Sequence, residues 1–583
     1  MRKLSIVKHQ ETEYYIVTSQ FADRAELYAA SELQKYLYES LNVYIPYFSD
    51  RCLKRGKEIY IGKTARDIGK NLSFEDVGEE GFVIQTLDNQ ELLIAGNSGR
   101  GTLYGVYAFL EKFLGFRRFS KDVERINHGE NLEIEPCRIV ENPAFEYRDV
   151  YTRTGWHTEF AVKNRLNGSV AVIPKEMGGK TGFFNSHHSF FDLVPPKFYA
   201  EAHPEYYSQN AGEESGKQLC LSNPDVYDIA RKQLVQWIVH NPECRVFSVG
   251  QNDNGGYCRC EKCRKTDEEN GGPSGSVIAF VNKLARSIKN EYPHVLLHTF
   301  AYRYSRKAPA ALKVEDNVIV RLCNIECERA IPFEKQAQAS ENEKGVKEAK
   351  EFLKNVKEWS AICKRLYVWD YTVNYNHYLL PLLPLHVFKE NIKTYRQSGV
   401  QGVLMEGNFS YGGDANMGDL KTYVLSKLLW NPDADVDGLI DEYLNGVFGK
   451  GAGYLKEYVS LMENAVTGKH TNIYDGNKNE YISEELIQKA DALFQKAVSA
   501  ETDPVIKERI EKEALAADYL KTVYTENREE RAKKADELYQ KLKHFKITEI
   551  RERSDLRKEI EWIKAERYGD KTTDWYSLYY IVR

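Results

Sequence analysis

The chain has 583 residues, of which 42% are hydrophobic and 29% are charged, a composition typical of folded globular proteins. At this length we expect three domains rather than one. Lysine and arginine number 81 against 86 aspartates and glutamates, so the net charge of −5 gives no argument for nucleic-acid binding. The longest apolar stretch, residues 378–388, is short and holds two prolines, which predicts no membrane span.

Three patterns of secondary structure follow one another along the chain. Residues 1–135 combine strands with amphipathic helices over 22–39 and 102–113, and their first two strands, 4–7 and 14–17, are predicted to form a hairpin. Residues 136–415 alternate short apolar strands with helices, whereas residues 416–583 show helical periodicity alone. We therefore predict an α/β protein with an N-terminal α+β accessory domain, a central (β/α)8 TIM-like barrel and a C-terminal helical domain.

Eight candidate strands support the barrel. They cover residues 147–152, 168–173, 218–221, 245–250, 295–300, 318–322, 366–370 and 402–406. Eight strands with helical connections agree with a (β/α)8 barrel in number and length, although the second and third connections look irregular. A doubly wound open sheet is the main alternative.

Chemically useful side chains collect where the predicted strands end, which is where barrels of this type carry their active sites. Four of them are carboxylates, namely Asp253, Glu326, Asp370 and Glu406. The others are Arg148, Asn252, His298, Tyr302, Trp369 and Tyr371. Cleavage of a glycosidic bond needs one protonated carboxyl group, a second acidic group and an aromatic surface for the sugar ring. Any one carboxylate could instead cap a helix or pair with an arginine, but the set as a whole predicts a carbohydrate-cleaving site.

Three cysteines, Cys258, Cys260 and Cys263, lie within six positions and form the densest chemical motif of the chain. With a fourth ligand, such as Cys244 or a histidine, they could hold a structural zinc ion. Buried reduced thiols and, in an exported protein, a disulfide are the alternatives. We expect no cofactor in catalysis, because the strand ends lack a histidine triad.

The N-terminal segment and the cysteines predict where the protein is located. The N-terminal segment alternates apolar and polar residues and reads as a strand rather than a signal peptide. With ten sparse cysteines this predicts a cytoplasmic protein with reduced thiols, although an exported chain without its signal would look the same. The expected partner is a glycan or oligosaccharide, with no nucleic acid and no membrane, and a homo-oligomer is left open.

Several segments resemble known carbohydrate-active families. Residues 96–115, GNSGRGTLYGVYAFLEKFLG, resemble the accessory domain that precedes the barrel in family 67 α-glucuronidases and family 20 hexosaminidases. Residues 248–263 (SVGQNDNGGYCRCEKC), 367–371 (YVWDY) and 423–432 (YVLSKLLWNP) resemble a large bacterial group. That group includes glycoside hydrolase family 163, endo-β-N-acetylglucosaminidases that act on complex N-glycans.

The resemblance implies a retaining hydrolase of β-N-acetylglucosaminide linkages, in which the 2-acetamido oxygen of the substrate attacks the anomeric carbon. By position it implies Asp253 as the first choice for the general acid and base, and Glu326 as the second. The residues Asn252 and Asp253 stand where family 20 has an adjacent Asp-Glu pair, so the acid and the polarising group could exchange roles. Exo or endo action is also left open.

The remaining strand-end residues receive supporting roles from the same resemblance. Asp370 and Tyr371 would orient the acetamido group, while Glu406 and Arg148 would bind sugar hydroxyls. Two alternatives stay open. Release of a uronic acid would need an arginine facing the pocket, for which Arg148, Arg303 and Arg321 are available. A glycan-binding protein without turnover would keep the cleft but not the chemistry.

Overall fold

The computed structural model of the protein describes residues 3–66, 74–210, 212, 215–341, 343–410, 412, 416–476 and 479–565. The strands are β1 (Leu4–Val7), β2 (Tyr14–Thr18), β3 (Tyr47–Ser49), β4 (Lys57–Ile61), β5 (Phe82–Thr86), β6 (Leu92–Gly96), β7 (Arg117–Arg118), β8 (Glu124–Arg125), β9 (Leu132–Ile134), β10 (Arg138–Glu141), β11 (Tyr147–Tyr151), β12 (Phe183–Phe184), β13 (Val246–Ser248), β14 (Leu296–Ala301), β15 (Val318–Cys323), β16 (Arg365–Tyr371) and β17 (Gly402–Glu406).

The α-helices lie between these strands and after the last of them. They are α1 (Arg24–Leu41), α2 (Gly99–Phe113), α3 (Thr158–Lys163), α4 (Phe190–Leu193), α5 (Pro196–Tyr199), α6 (Pro224–His240), α7 (Glu261–Glu269), α8 (Ser274–Ile288), α9 (Phe333–Ala337), α10 (Val346–Ile362), α11 (Leu385–Gln397), α12 (Gly418–Trp430), α13 (Val436–Phe448), α14 (Ala452–Val466), α15 (Glu484–Ala500), α16 (Pro504–Glu513), α17 (Leu515–Val523), α18 (Arg528–His544) and α19 (Leu556–Lys564). Within the described residues, no helix combines the length and the apolar character needed to cross a membrane.

The N-terminal part is a six-stranded mixed sheet in the order β10-β5-β6-β4-β2-β3, covered by α1 and α2. Helix α1 begins with a capping box, in which Asp23 accepts from the Glu26 backbone and Glu26 accepts from the Asp23 backbone. The predicted hairpin of the first two strands is wrong. Both edges of β2 are occupied by β3 and β4, so β1 pairs instead with β9.

The central sheet is parallel throughout and, in the described part of the chain, has seven strands in the order β11-β17-β16-β15-β14-β13-β12. This order is that of a ring opened between β11 and β12, which rules out the doubly wound alternative. The sheet curls until its two edges face each other. The rings of Tyr147 on β11 and Phe183 on β12 lie 5.3 Å apart.

An irregular segment fills the gap between these edges, so the predicted strand at 168–173 is wrong. The Asn167 amide donates to the Arg148 carbonyl of β11, and the Asn167 carbonyl accepts from Thr181 just before β12. Gly168 lies against the Asp149 carboxyl, and the next amide, that of Ser169, donates to this carboxyl at 3.1 Å rather than to a neighbouring strand. The described residues therefore form a curled seven-stranded sheet rather than the eight-stranded barrel we predicted.

The predicted strand at 218–221 also lies outside the sheet. Its backbone bonds to residues 206–208 instead, with Ser208 donating to Gln218 and Cys220 donating to Tyr206. The position expected for this strand, next to β13, is occupied by β12. This strand is only two residues long, too short to show an alternation of apolar and polar residues in the sequence.

Side chains of the curled sheet alternate between its inside and the surrounding helices. The inner set comes from all seven strands and includes Tyr147, Phe183, Val246, Phe300, Ile319, Cys323, Tyr367, Trp369, Tyr371 and Leu404. Their sequence neighbours, such as Leu366 and Val368 of β16, pack outward in the main core. This period of two decides which predicted residues can reach the interior.

Beyond β17 the described residues are helical, but two loops from this part return to the sheet. Tyr375, in the loop after β16, donates its amide to Ile473 at 2.8 Å and accepts from the Glu552 amide at 2.9 Å. Tyr378 donates to Ile550 at 2.9 Å. Loops between the C-terminal helices therefore contact the loop that follows β16, at the carboxyl end of that strand.

Candidate active site

Glu406 ends β17 on the inner side of the curled sheet. The Trp369 indole nitrogen donates to its carboxylate at 2.6 Å, and Tyr375 also hydrogen-bonds to it. Burial raises the pKa of Glu406 to about 7, more than these two hydrogen bonds lower it. A carboxyl group with this pKa can exchange a proton near neutral pH.

Asp253 lies in the loop that follows β13. It accepts from the Tyr302 hydroxyl at 3.2 Å and lies 3.4 Å from the Arg303 guanidinium, and its side chain is 42% exposed. Arg303 has a φ of 51°, in the left-handed region that long side chains seldom adopt. Such strained residues cluster at functional sites, where the surrounding structure enforces them.

Glu552, from a loop of the helical part, interacts electrostatically with both acidic groups. Burial raises the pKa of Glu552, and the charge of Asp253 raises it further. The charge of Glu552 in turn contributes to the raised pKa of Glu406. We call the group of Asp253, Tyr302, Trp369, Tyr375, Glu406 and Glu552 the mouth cluster. Within it, Asp253 accepts from Tyr302, Glu406 bonds to Trp369 and Tyr375, and the Glu552 amide donates to the Tyr375 carbonyl. No sequence motif marks Glu552, because its position depends on the packing of distant helices.

Aromatic rings line the same opening. Trp369 lies 5.4 Å from the His187 ring and 6.1 Å from the Tyr151 ring, and Tyr151 contacts Trp156 at 4.6 Å and Phe409 at 5.6 Å. Burial lowers the pKa of His187 to about 4, so this ring is neutral at pH 7. Aromatic faces next to carboxylates are what a sugar ring needs for stacking.

Two residues that we predicted to bind substrate face away from the opening. Arg148 is buried on the outer side of β11 and forms an ion pair with Glu80 of the N-terminal part. Asp370 points outward from β16 and is bound by Arg329 at 2.7 Å and by the Tyr395 hydroxyl at 2.6 Å. Both predictions are wrong, because strand alternation sends these side chains into the helix layer.

Glu326 lies near the rim but outside the contacts of the mouth cluster. It forms an ion pair with Arg306, and its side chain is 34% exposed. Burial raises the pKa of the Cys323 thiol on the inner face, and the charges of Glu326 and Glu406 both contribute. The catalytic role of Glu326 stays a prediction.

The remaining predicted residues differ in their access to the opening. Tyr302, Trp369 and Tyr371 are all buried among the inner rings, and of the three Tyr302 and Trp369 bond to the carboxylates Asp253 and Glu406. Asn252 fastens its loop by donating to the Lys217 carbonyl at 3.0 Å. His298 is fully buried four residues before Tyr302, with Nδ1 3.1 Å from the Ser248 hydroxyl. It lies too deep to touch a ligand at the opening, which corrects that prediction.

Arg321 occupies the interior below Trp369. Its guanidinium is fully buried and has no hydrogen-bond partner among the described residues. The rings of Tyr147, Phe183 and Trp369 surround it, each 5.1–5.4 Å from the guanidinium carbon, an arrangement that permits cation–π attraction. Because it has no solvent access, Arg321 cannot bind a substrate carboxylate from the opening in this structure.

The structure places a fourth cysteine, distant in sequence, beside the three cysteines of the predicted motif. Cys220, which precedes α6, lies with Cys258, Cys260 and Cys263 in one group whose sulfur atoms are all within 4.8 Å of one another. Cys244 lies elsewhere, beside Glu243. We call this group the four-cysteine cluster.

Comparisons relate the N-terminal part of the chain to a glycoside hydrolase family and the central part to a family without an assigned function. Residues 5–109 match the glycosyl hydrolase family 67 N-terminus, which confirms the predicted likeness of this part. Residues 119–460 match the family described as domain of unknown function DUF4838, and the chain belongs to this family. No curated protein matches the chain. The finer resemblance to family 163 stays a prediction.

Solved structures share the fold at low sequence identity. A family 115 4-O-methyl-α-glucuronidase, BtGH115A, is 12% identical with a TM-score of 0.60, over 98% of this chain and 81% of that one. A family 89 glycoside hydrolase from Clostridium perfringens is 11% identical with a TM-score of 0.52, over 89% of this chain and 65% of that one. At these identities the likeness concerns the fold alone.

Proposed function

We propose that this protein is a glycoside hydrolase that uses Asp253 and Glu406 as its catalytic carboxylates. The observation that carries the proposal is the mouth cluster. Asp253, in the loop after β13, accepts from Tyr302, and Glu406, at the end of β17, accepts from Trp369, and both of these rings belong to the inner face of the curled sheet. The match of residues 5–109 to a glycosidase accessory domain supports the same class of enzyme.

The two carboxylates have different surroundings, which suits them to different roles. Glu406, whose pKa burial raises to about 7, is the group that can donate a proton to the departing glycosidic oxygen. Asp253 lies beside the Arg303 guanidinium and the Tyr302 hydroxyl, which suits an anionic partner for positive charge on the substrate. This assignment moves the acid role from Asp253, our first choice from sequence, to Glu406.

The substrate we favour is a β-N-acetylglucosaminide in a glycan. The acetamido oxygen would attack the anomeric carbon while the bond to the leaving oxygen breaks and Glu406 protonates that oxygen. Asp253 would accept the hydrogen bond of the acetamido N–H as positive charge develops there. Water would then open the cyclic intermediate at the anomeric carbon, giving its proton to Glu406 and restoring both groups.

Release of a uronic acid is the second candidate, favoured by the presence of Arg303 and Arg553 at the opening. However, Arg303 lies 3.4 Å from Asp253, and Arg553 lies 3.6 Å from Glu552. A uronate would have to compete with these carboxylates for the guanidinium groups. The electrostatic surroundings therefore favour a neutral sugar.

The deciding experiment is a substrate panel of chromogenic glycosides and N-glycans, with analysis of the reducing-end products. We expect hydrolysis of N-acetyl-β-glucosaminides, with inhibition by a thiazoline analogue of the cyclic intermediate. Hydrolysis of uronides that the thiazoline does not inhibit would favour release of a uronic acid, the second candidate. Saturable glycan binding without turnover of any substrate would show a binding protein instead.

A further inference from the structure

The four-cysteine cluster has the dimensions of a tetrahedral metal site. The sulfur atoms of Cys220 and Cys260 lie 3.7 Å apart, and those of Cys220 and Cys263 lie 4.0 Å apart. Four sulfurs at the usual zinc–sulfur distance of about 2.3 Å in a tetrahedron are separated by about 3.8 Å. All four thiols therefore already lie close to the spacing that one zinc ion imposes.

The surroundings of the cluster provide the outer contacts of such a site. Cys220, Cys258 and Cys263 are buried, and Cys260 is half-buried. The Ser222 hydroxyl lies 3.1 Å from the Cys263 sulfur, and the Gln209 amide donates to the Cys258 sulfur at 3.5 Å. Hydrogen bonds to thiolate sulfurs orient metal ligands and offset their charge.

Disulfide pairing explains the arrangement less well. A disulfide needs two sulfurs at bonding distance, about 2.05 Å. Two disulfides would divide the four cysteines into two separate pairs, whereas here each sulfur is close to all the others. A single shared partner accounts for this mutual proximity.

We propose that Cys220, Cys258, Cys260 and Cys263 bind one Zn²⁺ ion, which fastens the loop that carries Asp253. Cys258 follows Asp253 by five residues, and Cys220 follows Gln218 by two. The Gln218 side chain accepts from the Asn252 amide at 3.0 Å and donates to the Asn252 carbonyl at 2.8 Å. The ion would thus connect the segment around Gln218 with the loop around Asn252, which the Gln218 side chain already joins. It would act on the position of this loop without touching the substrate.

The test measures the metal bound to the whole chain, purified from cells grown in medium that contains zinc. We expect about one zinc per chain, released by a mercurial thiol reagent. After replacement by Co²⁺, we expect sulfur-to-cobalt charge-transfer bands and the intense visible bands of tetrahedral cobalt. Cys220→Ser should lower the zinc affinity at least tenfold, whereas the control Cys244→Ser, at a half-buried cysteine outside the cluster, should leave it unchanged.

The wild-type measurements keep the proposal testable even if Cys220→Ser fails to fold. Thiol titration in denaturant with a chelator should detect all ten cysteines as free thiols. Wild-type protein that lacks zinc and does not take up Co²⁺ would overturn the proposal. So would a titration that finds cluster cysteines in disulfides, or equal loss of zinc in Cys220→Ser and Cys244→Ser.

Discussion

The indole of Trp369 donates a hydrogen bond to the Glu406 carboxylate across 2.6 Å, joining the ends of two neighbouring strands, β16 and β17. This contact places an aromatic ring and an acidic group side by side at the carboxyl ends of the two strands. It also lowers the pKa of Glu406, against the larger effect of burial. The proton affinity of Glu406 is therefore set by residues that can be changed one at a time.

The pH profile should show an alkaline limb near pH 7. A general acid must be protonated to donate, so kcat/KM should fall as the pH rises through the Glu406 pKa of about 7. Glu406→Gln should lose this limb along with most of its turnover. A wild-type profile that stays flat between pH 6 and pH 9, at about 25 °C, would contradict the assignment of Glu406 as the acid.

Trp369→Phe and Glu552→Gln should move that limb in opposite directions. Removing the Trp369 hydrogen bond takes away a contact that favours the charged form, so the Glu406 pKa rises and the limb moves to higher pH. Removing the Glu552 charge takes away a repulsion, so the limb moves to lower pH. Shifts in the same direction for both variants would show that Glu406 does not control the limb.

Asp253 and Glu326 should respond differently to loss of charge. Asp253→Asn is expected to lower turnover by at least about 10²-fold, the usual scale for acid–base groups. Glu326→Gln, which removes one of the two carboxylates beside Arg306, should lower turnover by less than about tenfold. The reverse order of effects would restore Glu326 as a catalytic group and remove Asp253.

Asp370→Ala should affect folding rather than substrate binding. Asp370 and Arg329 are both buried and lie 2.7 Å apart, and removal of one partner of a buried pair costs about 3–5 kcal/mol. Urea unfolding measures this cost. As a control, Glu341→Gln at the exposed pair with Lys350 should lower the free energy of unfolding by less than about 1 kcal/mol. A folded Asp370→Ala protein of wild-type stability but raised KM would contradict this account.

Hydrophobic runs were sufficient to locate most of the central strands. The runs at 295–300, 318–322, 366–370 and 402–406 correspond to β14, β15, β16 and β17, because buried parallel strands are apolar on both faces. The apolar run at 168–173 does not form a strand, since the Ser169 amide donates to the Asp149 side chain, a contact that only the fold reveals.

The candidate site was partly predictable from alternation along the strands. Since Tyr367, Trp369 and Tyr371 share the inner face of β16, Asp370 between them must face outward, and the sequence alone could have excluded it. In the same way, Arg148 must face outward because it follows Tyr147, which lies on the inner face of β11. By contrast, Glu552 and Cys220 join their clusters through contacts between distant segments, and no local pattern announces them.

The most direct test of the catalytic pair compares wild-type protein, Glu406→Gln and Asp253→Asn on the best substrate of the panel. We predict that both variants lose at least about 10²-fold in kcat while binding the substrate within a few-fold of wild type. Wild-type turnover in either variant, with its fold intact, would contradict the claim that these two carboxylates carry out the reaction.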